Sequence, residues 1–343
     1  MRTLLASLSA GVVACATPAP PGSPPPALDG AASAERAPGA PLDLTGGRDG
    51  PDCAGEIVRR GGQAFLALPG GTLLTHAALR PVVSGAPTAF HPDDQAGGAI
   101  LHRCNAGEVF LPDGTSYEGA ASGAVCTGRF ERDAARIGAA GWTDGEAGAV
   151  RWHGLVAEGS ARVAGMRVPR ARPVLREDGF YTSPTALEDE SYAPSAPERY
   201  VDAGRVPYAA VRRDQGVPIG SYGVALRVRG CPRGRECAPV PFVVADHAPR
   251  AGAGSLALAH EASGLALPEA WTRRNRYRGQ AGTGEVLTVF FGQAGEAGPL
   301  DAESLRARAQ AAFQDWGGEA RLYRCRRAYV PDADGDGDGG TGG

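Results

Sequence analysis

The chain has 343 residues, a formal charge of −3, 43% apolar and only 6% aromatic residues, with 51 Gly and 28 Pro. That length is enough for one large or two ordinary domains with a real core, and the near-neutral charge excludes a bulk nucleic-acid binder. No apolar run approaches the roughly 20 residues that span a bilayer, which excludes a membrane bundle. All 35 basic residues are Arg, so a single Arg position carries little functional weight.

Residues 1–15 carry one basic residue, a short apolar stretch and then Cys15, the plan of a secretory signal peptide. The ending Val12, Val13, Ala14, Cys15 resembles the bacterial lipobox, which makes Cys15 the lipidated first residue and the membrane contact a lipid one only. Residues 16–50 are rich in Pro, Ala, Gly and Ser without apolar period, and are expected to form a disordered, extended tether. A folded domain is expected over residues 51–330.

Within it, Gly, Pro or Asp interrupt short β-leaning runs: Ala64–Leu68, Val206–Val211, Tyr222–Val228, Val240–Ala245 and Glu285–Phe291. A short helix is predicted through Ser255–Ser263, ended by Gly264. A longer one is predicted over 301–316, capped by Asp301, with Leu305, Ala309, Ala312, Phe313 and Trp316 on one face. The pattern predicts a mainly β (α+β) barrel domain with a few accessory helices. The Asp/Gly run over 331–343 lacks the twelfth-position Glu of a calcium loop and reads as a solvated, disordered tail.

Apart from Cys15, six cysteines remain: Cys53, Cys104, Cys126, Cys231, Cys237 and Cys325. In an exported chain they are expected to form disulfides, whose pairing stays open. Cys231 and Cys237 bracket a short loop between two strand-like runs, and Cys53 and Cys325 sit at the two edges of the ordered region. With no Cys-x2-Cys pair and six scattered His, neither a metal nor another cofactor is expected.

Four stretches carry more specific information: PTAFHPDDQ (87–95), GFYTSPTALED (179–189), RYVDAGRVPY (199–208) and VVADHAP (243–249) followed by GSLALA (254–259). In order and spacing they resemble glycoside hydrolase family 75, the fungal-type chitosanases, over residues 64 to 292, with an unmatched insertion near 117–170. The resemblance implies a six-stranded double-psi-type β-barrel and inverting hydrolysis of β-1,4 bonds in chitosan. The family's catalytic pair is an Asp in Val-Val-(Ala/Gly)-Asp-x-Gly-Pro and a Glu in Gly-Glu-x-Ser. Asp246 matches the first. Ala253 stands where the Glu belongs, or Ser255 if the register shifts by two. Ala248 replaces the motif Gly, and Ser221 stands where the family shows Asp.

An inverting glycosidase needs an acid and a base about 6.5–9.5 Å apart. Candidates for the second carboxylate are Asp202, Glu261, Asp93 and Asp94. Against them stand ordinary roles: a turn cap for Asp202, turn residues after Pro for Asp93 and Asp94, and a solvated helix face for Glu261. The acidic stretch 177–202, with Glu188, Asp189 and Tyr200 as substrate-binding candidates, fits a cationic amino-sugar polymer. Opposing it, WTRRNRYR (271–278) interleaves aromatics with Arg, and reads as a surface strand with cationic faces before it reads as a grip for an anionic polymer or lipid headgroups.

Three functions follow as expectations: a chitosan-type hydrolase, a non-catalytic carbohydrate-binding or structural envelope protein, and a single-carboxylate lytic transglycosylase of peptidoglycan. In each the partner is a polysaccharide, with no nucleic acid, and the chain is expected to be an exported, membrane-anchored monomer.

Overall fold

The computed structural model describes residues 53–93, 97–120, 125–231, 237–295 and 298–329. The signal peptide, Cys15, the tether, Asp94 and the C-terminal tail lie outside the described residues. The elements in order are β1 Glu56–Arg60, β2 Gln63–Ala67, β3 Leu73–Val82, β4 Gly107–Phe110, β5 Ser116–Glu118, α1 Gly128–Ala139, β6 Ala149–Trp152, β7 Ala157–Val163, β8 Met166–Pro173, β9 Tyr208–Val211, β10 Ser221–Arg227, β11 Val240–His247, β12 Ala253–Ser255, α2 Leu256–Ala262, β13 Ala281–Ala294, α3 Ala302–Trp316 and α4 Gly318–Tyr329.

Six strands close a mixed barrel in the ring order β3, β12, β9, β11, β10, β13, with β13 returning to β3. Two pairs are parallel, β3 with β12 and β9 with β11; the other four are antiparallel. Exchanging β3, β9 and β10 with β11, β12 and β13 respectively maps this ring onto itself, parallel pairs onto parallel pairs. That internal two-fold is the double-psi arrangement. Closure leaves no edge inside the ring; β1 and β2 extend it beyond β3.

The period-2 alternation of the strands divides the core. Leu79, Ala209, Val211, Ala225, Phe242, Val244, Val286 and Phe290 fill the barrel interior, with Phe242 and Phe290 edge to face at 5.7 Å. Outside, Leu74, Val224, Leu226 and Val289 pack against Phe313 and Trp316 of α3 and Leu322 of α4. On another outer face, Tyr208, Ala210, Val243, Ala245 and Ala253 meet Phe130 and Ile137 of α1 together with Val109 and Trp152 of the small sheet β5-β4-β6.

Both predicted helices are present. Ser255 caps α2 by accepting from the N–H of Leu258, and Asp301 caps α3 by accepting from the N–H of Ser304 at 2.9 Å. Two further helices escaped the sequence reading. In α1 the signal was there: Thr127 as cap and Phe130, Ala134 and Ile137 as the buried stripe. In α4 only Leu322, Cys325 and Tyr329 among its side chains are buried, between arginines, so its apolar stripe is thin.

The cysteines pair as Cys53–Cys325, Cys104–Cys126 and Cys231–Cys237. Among the described residues no helix is long and apolar enough to cross a membrane.

Candidate functional site

Asp246 lies near the end of β11, and a bulge decides where it points. Val243 pairs with Tyr208 and Val244 with Ala209, but Asp246, not Ala245, pairs with Ala210. Without the extra residue, alternation would turn position 246 into the barrel interior with Val244; the bulge brings it outward, to the side of Tyr208 and Ala210. There Asp246 is half-buried. Its carboxylate accepts from the Ser84 side chain and from the backbone N–H groups of His247 and Ala186, the last at 3.2 Å. Burial still pushes its pKa up, against those hydrogen bonds and the His247 charge.

Asp202 is also half-buried, one residue beyond the buried Val201. Its Oδ1 accepts from the N–H of Gly204 at 2.7 Å, and the Arg205 guanidinium lies 3.8 Å from Oδ2. Burial again outweighs both and raises its pKa. Tyr208 is fully buried, its phenol donating to the carbonyl of Ser84 at 2.7 Å. The phenol pKa is driven well upward, first by burial and then by the charges of Asp246 and Asp202. Both carboxylates are thus near enough to act electrostatically on the Tyr208 phenol.

Asp202 opens onto a cleft of about 1000 Å³. Among the described residues five carboxylates line it, Asp189, Glu198, Asp202, Glu269 and Asp301, against the single cation Arg205; Tyr192, Tyr200 and Trp271 supply aromatic surface. Asp189 and Asp301 are held below the usual carboxylate range. For Asp189 the cause is hydrogen bonding to Ser191, for Asp301 hydrogen bonding to Ser304. The cleft is therefore anionic at neutral pH, while Asp202 is biased toward keeping a proton. Asp246 does not line this cleft. Two of its hydrogen-bond partners, Ser84 and Ala186, lie close in sequence to cleft residues Ala86 and Asp189.

The remaining candidates fall elsewhere. Glu261 forms an ion pair with Arg306, Nη1 to Oε2 3.0 Å, on a separate recess beside α2. Asp93 folds back on His91, its N–H donating to Nδ1 at 2.9 Å. Glu188 pairs with Arg199 at 2.8 Å, and Tyr200 donates to the carbonyl of Pro194 at 3.0 Å while its ring faces the cleft. Ser221 donates to the Pro218 carbonyl at 2.7 Å, a turn role, and Ala248 follows β11, its N–H donating to Val211.

Ser255 is fully buried with every bonding capacity used. Its hydroxyl donates to the Val206 carbonyl at 2.7 Å and accepts from the N–H groups of Tyr208 and Leu258 at 3.0 Å. It joins β9 to the start of α2 and is not available for proton transfer. Replacing it by Ala should cost about 2–4 kcal/mol, since a helix cap and a buried acceptor are lost together; chemical denaturation measures this. Ala253 differs. It pairs with Ala210 from the side of β9 opposite to Asp246. Two strand spacings separate the two positions, about 9–10 Å between Cα atoms, with both side chains on one face.

One expectation is overturned. Residues 271–278 form turns rather than a surface strand. Trp271 turns into the cleft, its indole N–H donating to the Gly204 carbonyl at 3.1 Å, and Arg276 is buried, bonded to the carbonyl of Ile100. The Arg alternation that looked like a cationic face is interrupted by burial. Glu269 and Trp271 were missed as cleft residues, and Asp301 was read only as a cap, because the cleft joins segments far apart in the chain. Among the described residues no group of three His, Cys, Asp or Glu is placed to hold a metal ion. No protein-family model matches the chain, and no curated protein is significantly similar to it.

Proposed function

We propose that this protein is an exported, lipid-anchored chitosanase-like hydrolase of cationic β-1,4-linked amino-sugar polymers, with Asp246 and Asp202 as its two carboxylates. The observation that carries the reading is the cleft: five carboxylates and three aromatic rings facing about 1000 Å³ of space. Sugar rings lie against aromatic faces, and an array of fixed negative charges selects amine-bearing residues over acetylated ones. Three disulfides are consistent with an exported protein, and Cys15 would supply the anchor.

Within this reading the two carboxylates divide the work by their donors. Asp246 accepts hydrogen bonds from Ser84, His247 and Ala186, which favour its anion, and so acts as the base that activates water. Asp202 accepts one N–H with a guanidinium 3.8 Å away, burial raises its pKa, and it acts as the acid toward the leaving oxygen. The test is reducing-end release by the full chain from chitosan and from fully acetylated chitin. Turnover of chitosan and not of chitin is expected; the absence of both binding and turnover of chitosan would sink the reading.

One observation favours a second reading, binding without cleavage: the alanine at position 253. Ala253→Glu places a carboxylate on the same face as Asp246 and should raise chitosan turnover by at least about tenfold if the parent lacks an efficient partner. Position 253 is closely packed, so about 1–3 kcal/mol of stability should be lost. An unchanged rate in a folded variant would mean that Asp202 already fills the role.

A further inference from the structure

The segment carrying Ser84 touches both halves of the site. The N–H of Gly85 donates to the Ser183 carbonyl at 2.9 Å, on the strand of chain that leads to Ala186. Gly85 has φ +81°, and a Cβ there would stand 1.9 Å from the carbonyl oxygen of Val201, the residue before Asp202. Thr185 closes the triangle, accepting from the N–H of Val201 at 3.2 Å and donating to the Leu187 carbonyl at 2.6 Å. Beneath this junction the Tyr208 phenol holds the Ser84 carbonyl, and the Ser84 side chain lies against both the phenol and the Asp246 carboxylate.

We infer that Tyr208 and Ser84 form a positioning unit: the buried phenol fixes the Ser84 backbone, and the Ser84 hydroxyl fixes the orientation and ionisation of Asp246. Tyr208 is fully buried, and Ser84 is assigned a role that acts through Asp246. Tyr208 is rigid because its ring is fully buried and its own N–H is held by Ser255. A phenol this far from its ordinary pKa stays protonated and remains a donor throughout the working range. The charged groups facing the unit are His247 beside Asp246, and Asp202, near enough to act on the Tyr208 phenol. The catalytic consequence rests on Asp246 being a reacting carboxylate, as proposed above. The structural one does not.

The test reads both separately. The full chain, labelled with carboxyl-¹³C aspartate, is titrated by NMR as parent, Ser84→Ala, Ser84→Thr and Tyr208→Phe, the Asp246 signal being assigned by its loss in Asp246→Asn. The hydroxyl favours the Asp246 anion, so its removal should raise the Asp246 midpoint by at least about half a pH unit. Tyr208→Phe should do the same to a smaller extent, and Ser84→Thr should restore the parent value. Chitosan turnover should fall about tenfold in kcat in Ser84→Ala with KM nearly unchanged, and its acid limb should move up with the NMR midpoint. An unmoved Asp246 midpoint in folded Ser84→Ala overturns the inference, whatever the activity. A shifted midpoint in a protein that never cleaves chitosan supports the positioning unit and removes the hydrolase reading. Ser84→Ala deletes a single oxygen from a half-buried side chain, so the result does not depend on whether Tyr208→Phe folds.

Discussion

Asp246→Asn should lower chitosan turnover by about 10²–10⁴-fold, the range lost when a positioned acid or base is removed. The carboxamide keeps an oxygen for the N–H of Ala186 and nearly the same volume, so the bulge and the neighbouring strands have no reason to move. Its effect on stability should run the other way. Burial raises the Asp246 pKa in the fold, so this group contributes stability below the ordinary carboxylate pKa that is lost as pH rises through its folded value. The fold disfavours ionisation of Asp246, and Asn does not ionise. Asp246→Asn should therefore melt no lower than the parent at pH 7. Asp202→Asn should behave alike, because its pKa is raised by the same cause. Loss of turnover with unchanged melting would place Asp246 in the chemistry. Activity within about twofold of the parent would leave it a structural residue at a strand end.

How much of this was legible in the residues depends on how local each cause is. The barrel strands announced themselves where apolar runs meet Gly or Pro: β10 and β11 fall within a few residues of the expected bounds. The helix cap Asp301 was readable because a cap is one side chain acting within one turn, whereas the helix beginning near Ser255 was read without its cap. β12 was not, for three small residues carry no period, and it is held by β3 and β9 on either side. The site divides in the same way. Asp246 and Asp202 lie in recognisable runs, yet nothing in VVAD shows that Ala245 is bulged and that the carboxylate therefore faces out. Ser84 carried no signal, since its role comes from Tyr208, 124 positions away. The cleft collects Asp189, Glu198, Asp202, Glu269 and Asp301, and of these Asp189, Glu198 and Asp202 lay in the stretch whose charge bias stood out. Segment 271–278 misled because an Arg alternation looks solvated, whereas Arg276 is buried over the Tyr277 ring at 4.4 Å.

Replacing Cys53 and Cys325 together by Ala should lower the unfolding free energy by about 2–5 kcal/mol and the Tm by roughly 5–15 °C. The bond closes a loop of 272 residues and so restricts nearly the whole unfolded domain, whereas Cys231–Cys237 closes a loop of six. On chain entropy alone the long bridge should exceed the short one by about 3 kcal/mol. Its native surroundings add to this. Cys53 and Cys325 lie buried among Leu66, Leu68, Leu322 and Tyr329, where α4 covers the outer face of β2, β3 and β13. α4 has few other buried side chains to hold it there. Alanine keeps the cluster apolar, so a loss in this range would measure the cross-link rather than a buried hydroxyl. Equal losses for the two disulfides, compared by calorimetry of the matching Ala pairs, would mean that packing around each bridge outweighs loop closure. The larger loss at Cys53–Cys325 would have a mechanical corollary. Among the described residues β1 pairs only with β2, and it follows closely on Cys53. A pull on the chain ahead of residue 53 is passed by the bridge to α4 and the barrel wall, so β1 is not peeled from its neighbour.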